Sequence, residues 1–177
     1  KTLNKILLRN PRGNSRFIDD IVTINLPDYN KLNIYPPTLK LNKENDDPHK
    51  ASFLDVLLTI VAKKFEYSLY DKRLDFPFDI VRFPDRKSNV PTNLLISTAS
   101  AQILRVYRTC SQFAGFSVNV VSLFEALRVR GIKMSEFVNV FYSNSLERHY
   151  TFKSYKMSKE EVGIQITQLL YTKYPKM

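Results

Sequence analysis

The chain has 177 residues, 44% of them hydrophobic and 12% aromatic, which is enough for one ordinary domain or two small lobes with a real core. Its 27 basic and 17 acidic side chains leave a formal net charge of +10, a sign that favours nucleic acid or another anionic surface as partner. A single cysteine, Cys110, excludes an internal disulfide; neither His49 nor His149 has metal-ligand spacing, and no apolar run approaches the roughly 18 residues of a membrane span.

In chain order, Leu3, Ile6, Leu7 and Leu8 read as a helix end stopped by Pro11 and Gly13. Arg16–Ile18 and Ile21–Leu26 are two short apolar strands around Asp19-Asp20, a hairpin with acids at its tip. Residues 27–37 read as a loop, and Leu39 and Leu41 alternate with polar neighbours as in a strand. Ser52–Val61 reads as one strong strand and Phe65–Tyr70 as the next, and the hairpin is expected to join their sheet. Residues 71–91, broken by Pro77, Pro84 and Pro91, form an irregular connector.

From Thr92 the texture becomes helical. Ile96, Ala99, Ile103, Val106 and Cys110 make an apolar stripe, with Thr98, Gln102, Arg105, Arg108 and Gln112 on another side. Val118–Arg130 predicts a second helix ended by Gly131, and Ser135 opens a third carrying Phe137, Val140 and Phe141. Ser158-x-x-Glu161 has the capping-box form and opens a fourth helix to about Tyr171. The reading is therefore α+β, with a natural boundary near residue 90, strands over 1–90 and helices over 91–177. Net charge is +3 over residues 1–50, +1 over 51–90 and +6 over 91–177, so the helical half is the stronger polyanion binder; Lys173 and Lys176 near the end are expected to be solvated.

The stretch Arg16-Phe17-Ile18-Asp19-Asp20-Ile21-Val22 carries the chemistry. Adjacent carboxylates at a strand tip repel one another, and a divalent cation relieves them. Phe17-Ile18-Asp19-Asp20 resembles the aromatic-x-Asp-Asp motif of reverse transcriptases. Ser52-Phe53-Leu54-Asp55-Val56-Leu57 looks like the strand that follows this hairpin in Penelope-like and related retroelement polymerases. Tyr70-Asp71-Lys72-Arg73-Leu74-Asp75-Phe76, Val81-Arg82-Phe83-Pro84 and Ser88-Asn89-Val90-Pro91 extend the same pattern. Arg105-Val106-Tyr107-Arg108-Thr109-Cys110 and Leu127-Arg128-Val129-Arg130-Gly131 are similar to its thumb helices, so the resemblance runs from about residue 3 to 150.

The resemblance implies a partial palm over 1–90 and an all-helical thumb over 91–177, from an RNA-directed DNA polymerase of a retrotransposon. It implies that Asp19 and Asp20 are catalytic and bind Mg²⁺, and that Phe17 lies near the primer end. Tyr70, Lys72, Arg73, Arg105, Arg108, Arg128 and Arg130 would contact the hybrid duplex of RNA template and DNA primer. The family's other metal-binding Asp lies on an earlier palm strand, and its fingers also precede this segment. Residues 1–177 alone are therefore expected not to polymerise, and the upstream palm and fingers, in the same or another chain, become a partner. A nuclear or cytoplasmic setting fits, with no membrane. The rival reading is a non-catalytic, retroelement-derived component that binds nucleic acid or supports a ribonucleoprotein. Asp55 reads as a satisfied acid, paired with Lys72 or Arg73 or bonded to backbone, rather than a third metal ligand.

Overall fold

The computed structural model describes residues 14–18, 20–24, 36, 38, 40, 42–143 and 155–175. The helix end at 2–9, the strand at Leu39 and Leu41, the loop over most of 27–37, His149 and Lys176 fall outside the described residues, as does Asp19. The fold class is α+β: two small sheets and, among the described residues, four α-helices. Contacts divide the chain into two compact units, 1–65 and 66–177.

The first unit is built from hairpins. Strands β1 (Asn14–Phe17) and β2 (Asp20–Thr23) pair antiparallel, with Phe17 opposite Asp20. Strands β3 (Lys50–Phe53) and β4 (Val56–Val61) do the same, with Phe53 opposite Val56. Strand β5 (Lys64–Leu69) follows, and the sheet order is β3-β4-β5. The single strand expected over Ser52–Val61 is thus a hairpin, turned at Leu54-Asp55 with Leu54 at φ 57°. An unbroken run of strand formers hides this turn, because Leu is not a residue that announces a left-handed backbone. The β1–β2 hairpin also forms its own two-stranded sheet instead of joining the other. Its strands are only four residues each, and β2 approaches β3 without entering its ladder.

The second unit holds the buried core; no buried hydrophobic residue among those described precedes Phe83. Helix α1 (Thr92–Thr109) buries Leu95, Ala99, Ile103 and Val106, with Cys110 just beyond its end. The spacing of three and four residues makes one continuous stripe. Helix α2 runs from Phe113 to Arg128, five residues earlier than Val118, and Gln112 is its N-cap rather than part of the preceding helix. No side chain caps that N-terminus, so nothing local announces the start; burial of Phe116 and Ser117 draws the turn in.

The chain leaves α2 through Gly131 at φ 96°, a left-handed position suited to glycine. Ile132 N–H then donates back to the Leu127 carbonyl at 3.2 Å. Helix α3 (Met134–Tyr142) begins one residue before Ser135, and the Glu136 carboxylate accepts the Lys133 N–H at 2.9 Å. Helix α4 (Lys159–Lys173) carries the expected capping box: Ser158 Oγ accepts from Glu161 N–H at 3.1 Å, and Glu161 accepts from Ser158 N–H at 2.7 Å. It buries Val162, Ile166 and Leu170 at successive turns. Rings fill the centre, with Phe124–Phe137 centroids at 5.1 Å and Phe116–Tyr155 at 5.5 Å.

The helical unit begins well before residue 91. Tyr67 and Ser111 exchange backbone and hydroxyl bonds of 2.8–3.1 Å, Leu69 packs on the core, and Phe83 is buried in it.

Candidate functional site

In the acidic hairpin Phe17 faces Asp20 across the ladder, and Ile18 turns the chain just beyond Phe17. Arg16 Nε donates to the Ile18 carbonyl at 2.8 Å and stiffens the turn. Ile18 sits at φ 51° and is 73% exposed. A β-branched residue in the left-handed region is strained by roughly 1–2 kcal/mol, and Ile18 recovers little by burial. Such strain concentrates at functional tips. Phe17 is 52% exposed at the end of β1, and Asp20 opens β2 at the surface. Asp19 lies outside the described residues.

Among the described residues, no group of three or more His, Cys, Asp or Glu side chains could hold a metal ion. A hard divalent cation takes about six oxygen ligands, and two adjacent carboxylates supply only part of that set. The described residues therefore do not complete a Mg²⁺ site. Asp55, at the tip of the β3–β4 hairpin, is half-buried and engaged rather than free.

A basic cluster forms in the second unit. Asp71 caps a 3-10 turn over Lys72–Asp75 and holds the Arg73 guanidinium in a two-pronged pair, Nε at 2.6 Å and Nη2 at 2.5 Å. Tyr70 Oη donates to Asp75 at 2.5 Å. Arg82 reaches Asp71 at 3.8 Å, donates to the Gln102 side chain on α1, and lies 4.7 Å over the Phe83 ring. Burial, with the positive charges of Arg73 and Arg105 near it, pushes the Arg82 guanidinium down to about 10. The bond from Arg73 holds the Asp71 carboxyl below the usual range.

Arg73 and Arg105 thus lie near Arg82, Tyr70 is bonded to Asp75 instead, and Lys72 is exposed on the 3-10 turn. Arg108 is exposed on the last turn of α1, whereas Arg105 is only half-exposed. Arg128 and Arg130 stand apart from this cluster at the α2–α3 corner. The Arg128 guanidinium stacks 5.2 Å from the Tyr174 ring, and the Arg130 carbonyl accepts the Arg86 N–H at 2.9 Å. Lys173 is tethered to Glu125 at 3.1 Å rather than simply solvated.

Sequence reasoning missed Arg82 and the clamp between Arg86 and Glu136. Arg86 makes two bonds of 2.7 Å to Glu136 and one of 3.0 Å to the Gly131 carbonyl. These bonds pull the Glu136 carboxyl down to about 2. The only local signal was two arginines around Phe83-Pro84-Asp85 in a segment without periodicity. No helix among the described residues is long and apolar enough to cross a membrane. No family model matches the chain, and no curated protein or solved structure matches it.

Proposed function

We propose that the chain is the closing part of a reverse-transcriptase palm followed by its thumb, and that it binds the hybrid duplex of RNA template and DNA primer. The observation that carries this reading is the hairpin formed by the Phe17-Ile18-Asp19-Asp20 segment, with a strained, exposed Ile18 at its turn. The basic helical half supports it, with Arg108 exposed and with Arg73 and Arg105 near Arg82. Such a surface tracks phosphates without reading bases.

In this reading Asp19 and Asp20 supply part of the ligand set of Mg²⁺, and an earlier palm strand supplies the remainder. The metal would contribute charge neutralisation at the reacting phosphate. Phe17 lies near the primer end. Tyr70, Lys72, Arg73, Arg105, Arg108, Arg128 and Arg130 hold the duplex, directly or by positioning one another.

The test is a salt titration of hybrid-duplex binding by fluorescence anisotropy. Replacing Arg105 and Arg108 by Ala should lower affinity and make the log–log salt slope shallower by up to about two units, with Arg108 contributing more because it is exposed. Binding that matches the parent at every salt concentration removes the helical unit from nucleic acid. In a protein that also carries the upstream palm and fingers, Asp19→Asn should abolish nucleotide incorporation, since an amide supplies no anionic oxygen. Undiminished incorporation removes the metal assignment and favours the non-catalytic binding role.

A further inference from the structure

Between the 3-10 turn and the buried Phe83, residues 74–81 form an unbroken exposed run. Five of its eight residues are large and apolar: Leu74, Phe76, Phe78, Ile80 and Val81 are 41–84% exposed. Single apolar side chains at a surface are ordinary, whereas a contiguous run of them marks a docking surface.

The run is ordered at both ends. Upstream, Asp71 caps the 3-10 turn, the Phe76 N–H donates to the Arg73 carbonyl at 3.3 Å, and the Tyr70 hydroxyl donates to Asp75. Downstream, Arg82 donates to Gln102 on α1, and Phe83 enters the core. Within it the Phe76 and Phe78 rings pack at 5.5 Å. A strip held in place beforehand loses less entropy when a partner covers it.

Asp75 and Asp79 are the only charged residues of the run, on a chain of net charge +10. Among the described residues no ion pair reaches either acid, since Arg73 and Arg82 both turn to Asp71. This local charge opposes a phosphate backbone or an anionic lipid surface. It also opposes a second copy of the chain. Laid antiparallel about Pro77, a copy sets Asp75 opposite Asp79; laid parallel in register, it sets each acid opposite itself. Like charges that face each other destabilise such pairing. The complementary surface is apolar and basic.

We propose that residues 74–81 dock a protein segment that presents apolar side chains flanked by lysine or arginine. The two rings and their aliphatic neighbours supply the contact, and the two acids select the partner by charge. This inference does not rest on the polymerase reading and adds a protein partner to it.

The experiment is fluorescence anisotropy of the whole chain with a short fluorescein-labelled peptide of leucine and lysine, and with its leucine–glutamate counterpart. At long range the net charge of +10 favours the glutamate peptide, so a preference for the lysine peptide reports a local acidic surface. The parent should show that preference. Phe78→Ser should weaken lysine-peptide binding on the order of tenfold. Asp79→Lys should weaken it about fivefold, with the difference shrinking as salt rises. Both positions are exposed, and thermal unfolding checks that the variants fold. Absence of lysine-peptide binding by the parent, tighter binding of the glutamate peptide, or parent-like binding by either variant overturns the proposal. A parent dimer in sedimentation equilibrium that Phe78→Ser dissociates gives the strip to a second copy instead. Loss of hybrid-duplex binding in Phe78→Ser gives it to nucleic acid, which likewise refutes the protein partner.

Discussion

Gly163, buried on α4, lies where α3 comes closest. A Cβ at this position would sit 2.9 Å from Tyr142 Cε1 and 3.3 Å from both its Cζ and Oη. Carbon atoms prefer about 3.5–4.0 Å, so Gly163→Ala forces the ring aside. The ring is held in place, since Thr167 Oγ1 donates to its hydroxyl at 3.4 Å and Phe141 packs edge-on against it at 6.3 Å. Two effects oppose one another. Ala gains about 1 kcal/mol over Gly in a helix interior. Overpacking costs about 1–3 kcal/mol. The clash should win by about 1 kcal/mol, which lowers the unfolding midpoint by a few degrees. Urea unfolding of the whole chain, followed by far-ultraviolet circular dichroism, measures this. In a Tyr142→Ala background the obstruction is gone, and the same Gly163→Ala change should become stabilising. A Gly163→Ala protein more stable than the parent would show that Tyr142 does not occupy this contact.

Glu136→Gln tests the connector clamp through its pH dependence. The Glu136 carboxyl is held down to about 2 from an ordinary 4.5, so its contribution is full above about pH 4.5 and is lost as pH falls toward 2. The urea midpoints of parent and variant should differ at pH 7 and converge near pH 2.5; a constant difference refutes the linkage. Gly131→Ala should destabilise by about 1–3 kcal/mol, because φ is 96° and the new Cβ would lie 2.9 Å from Arg86 Cβ. Urea unfolding reads this, and an unchanged midpoint rules out the turn geometry. Phe124→Ala should cost about 3–5 kcal/mol, since its ring is fully buried between Phe137 and Tyr174 at 5.1 and 5.3 Å. A loss below about 1 kcal/mol in the same assay would mean that this layer is loosely packed.

Periodicity and caps carried the helices well. The stripe through Ala99, Ile103 and Val106 and the Ser158–Glu161 box are local patterns, and both describe the observed helices. The acidic hairpin was legible for the same reason, since apolar residues flank polar ones over fewer than ten positions. The turn at Leu54-Asp55 was not, because a leucine at positive φ leaves no trace in composition. The docking of the connector was equally hidden. Arg82 meets Gln102 and Arg86 meets Glu136 through side chains 20 and 50 residues apart, and hydrophobic spacing carries no information on such pairs. At the site, Arg108 was readable as an exposed base, whereas the half-burial of Arg105 follows from its place beside Arg82.

Cys110 is 3% exposed at the end of α1, and burial raises its thiol above the usual range. Its carbonyl accepts the Tyr155 hydroxyl at 3.0 Å, which ties it to a ring of the core. Because it is the only cysteine in the chain, it is a native chronometer of opening. A thiol reagent has no target until α1 parts from its neighbours, so modification occurs at the frequency of that excursion. Any cysteine placed at the surface would meanwhile react alone, so a dye can be attached at one chosen position without removing Cys110.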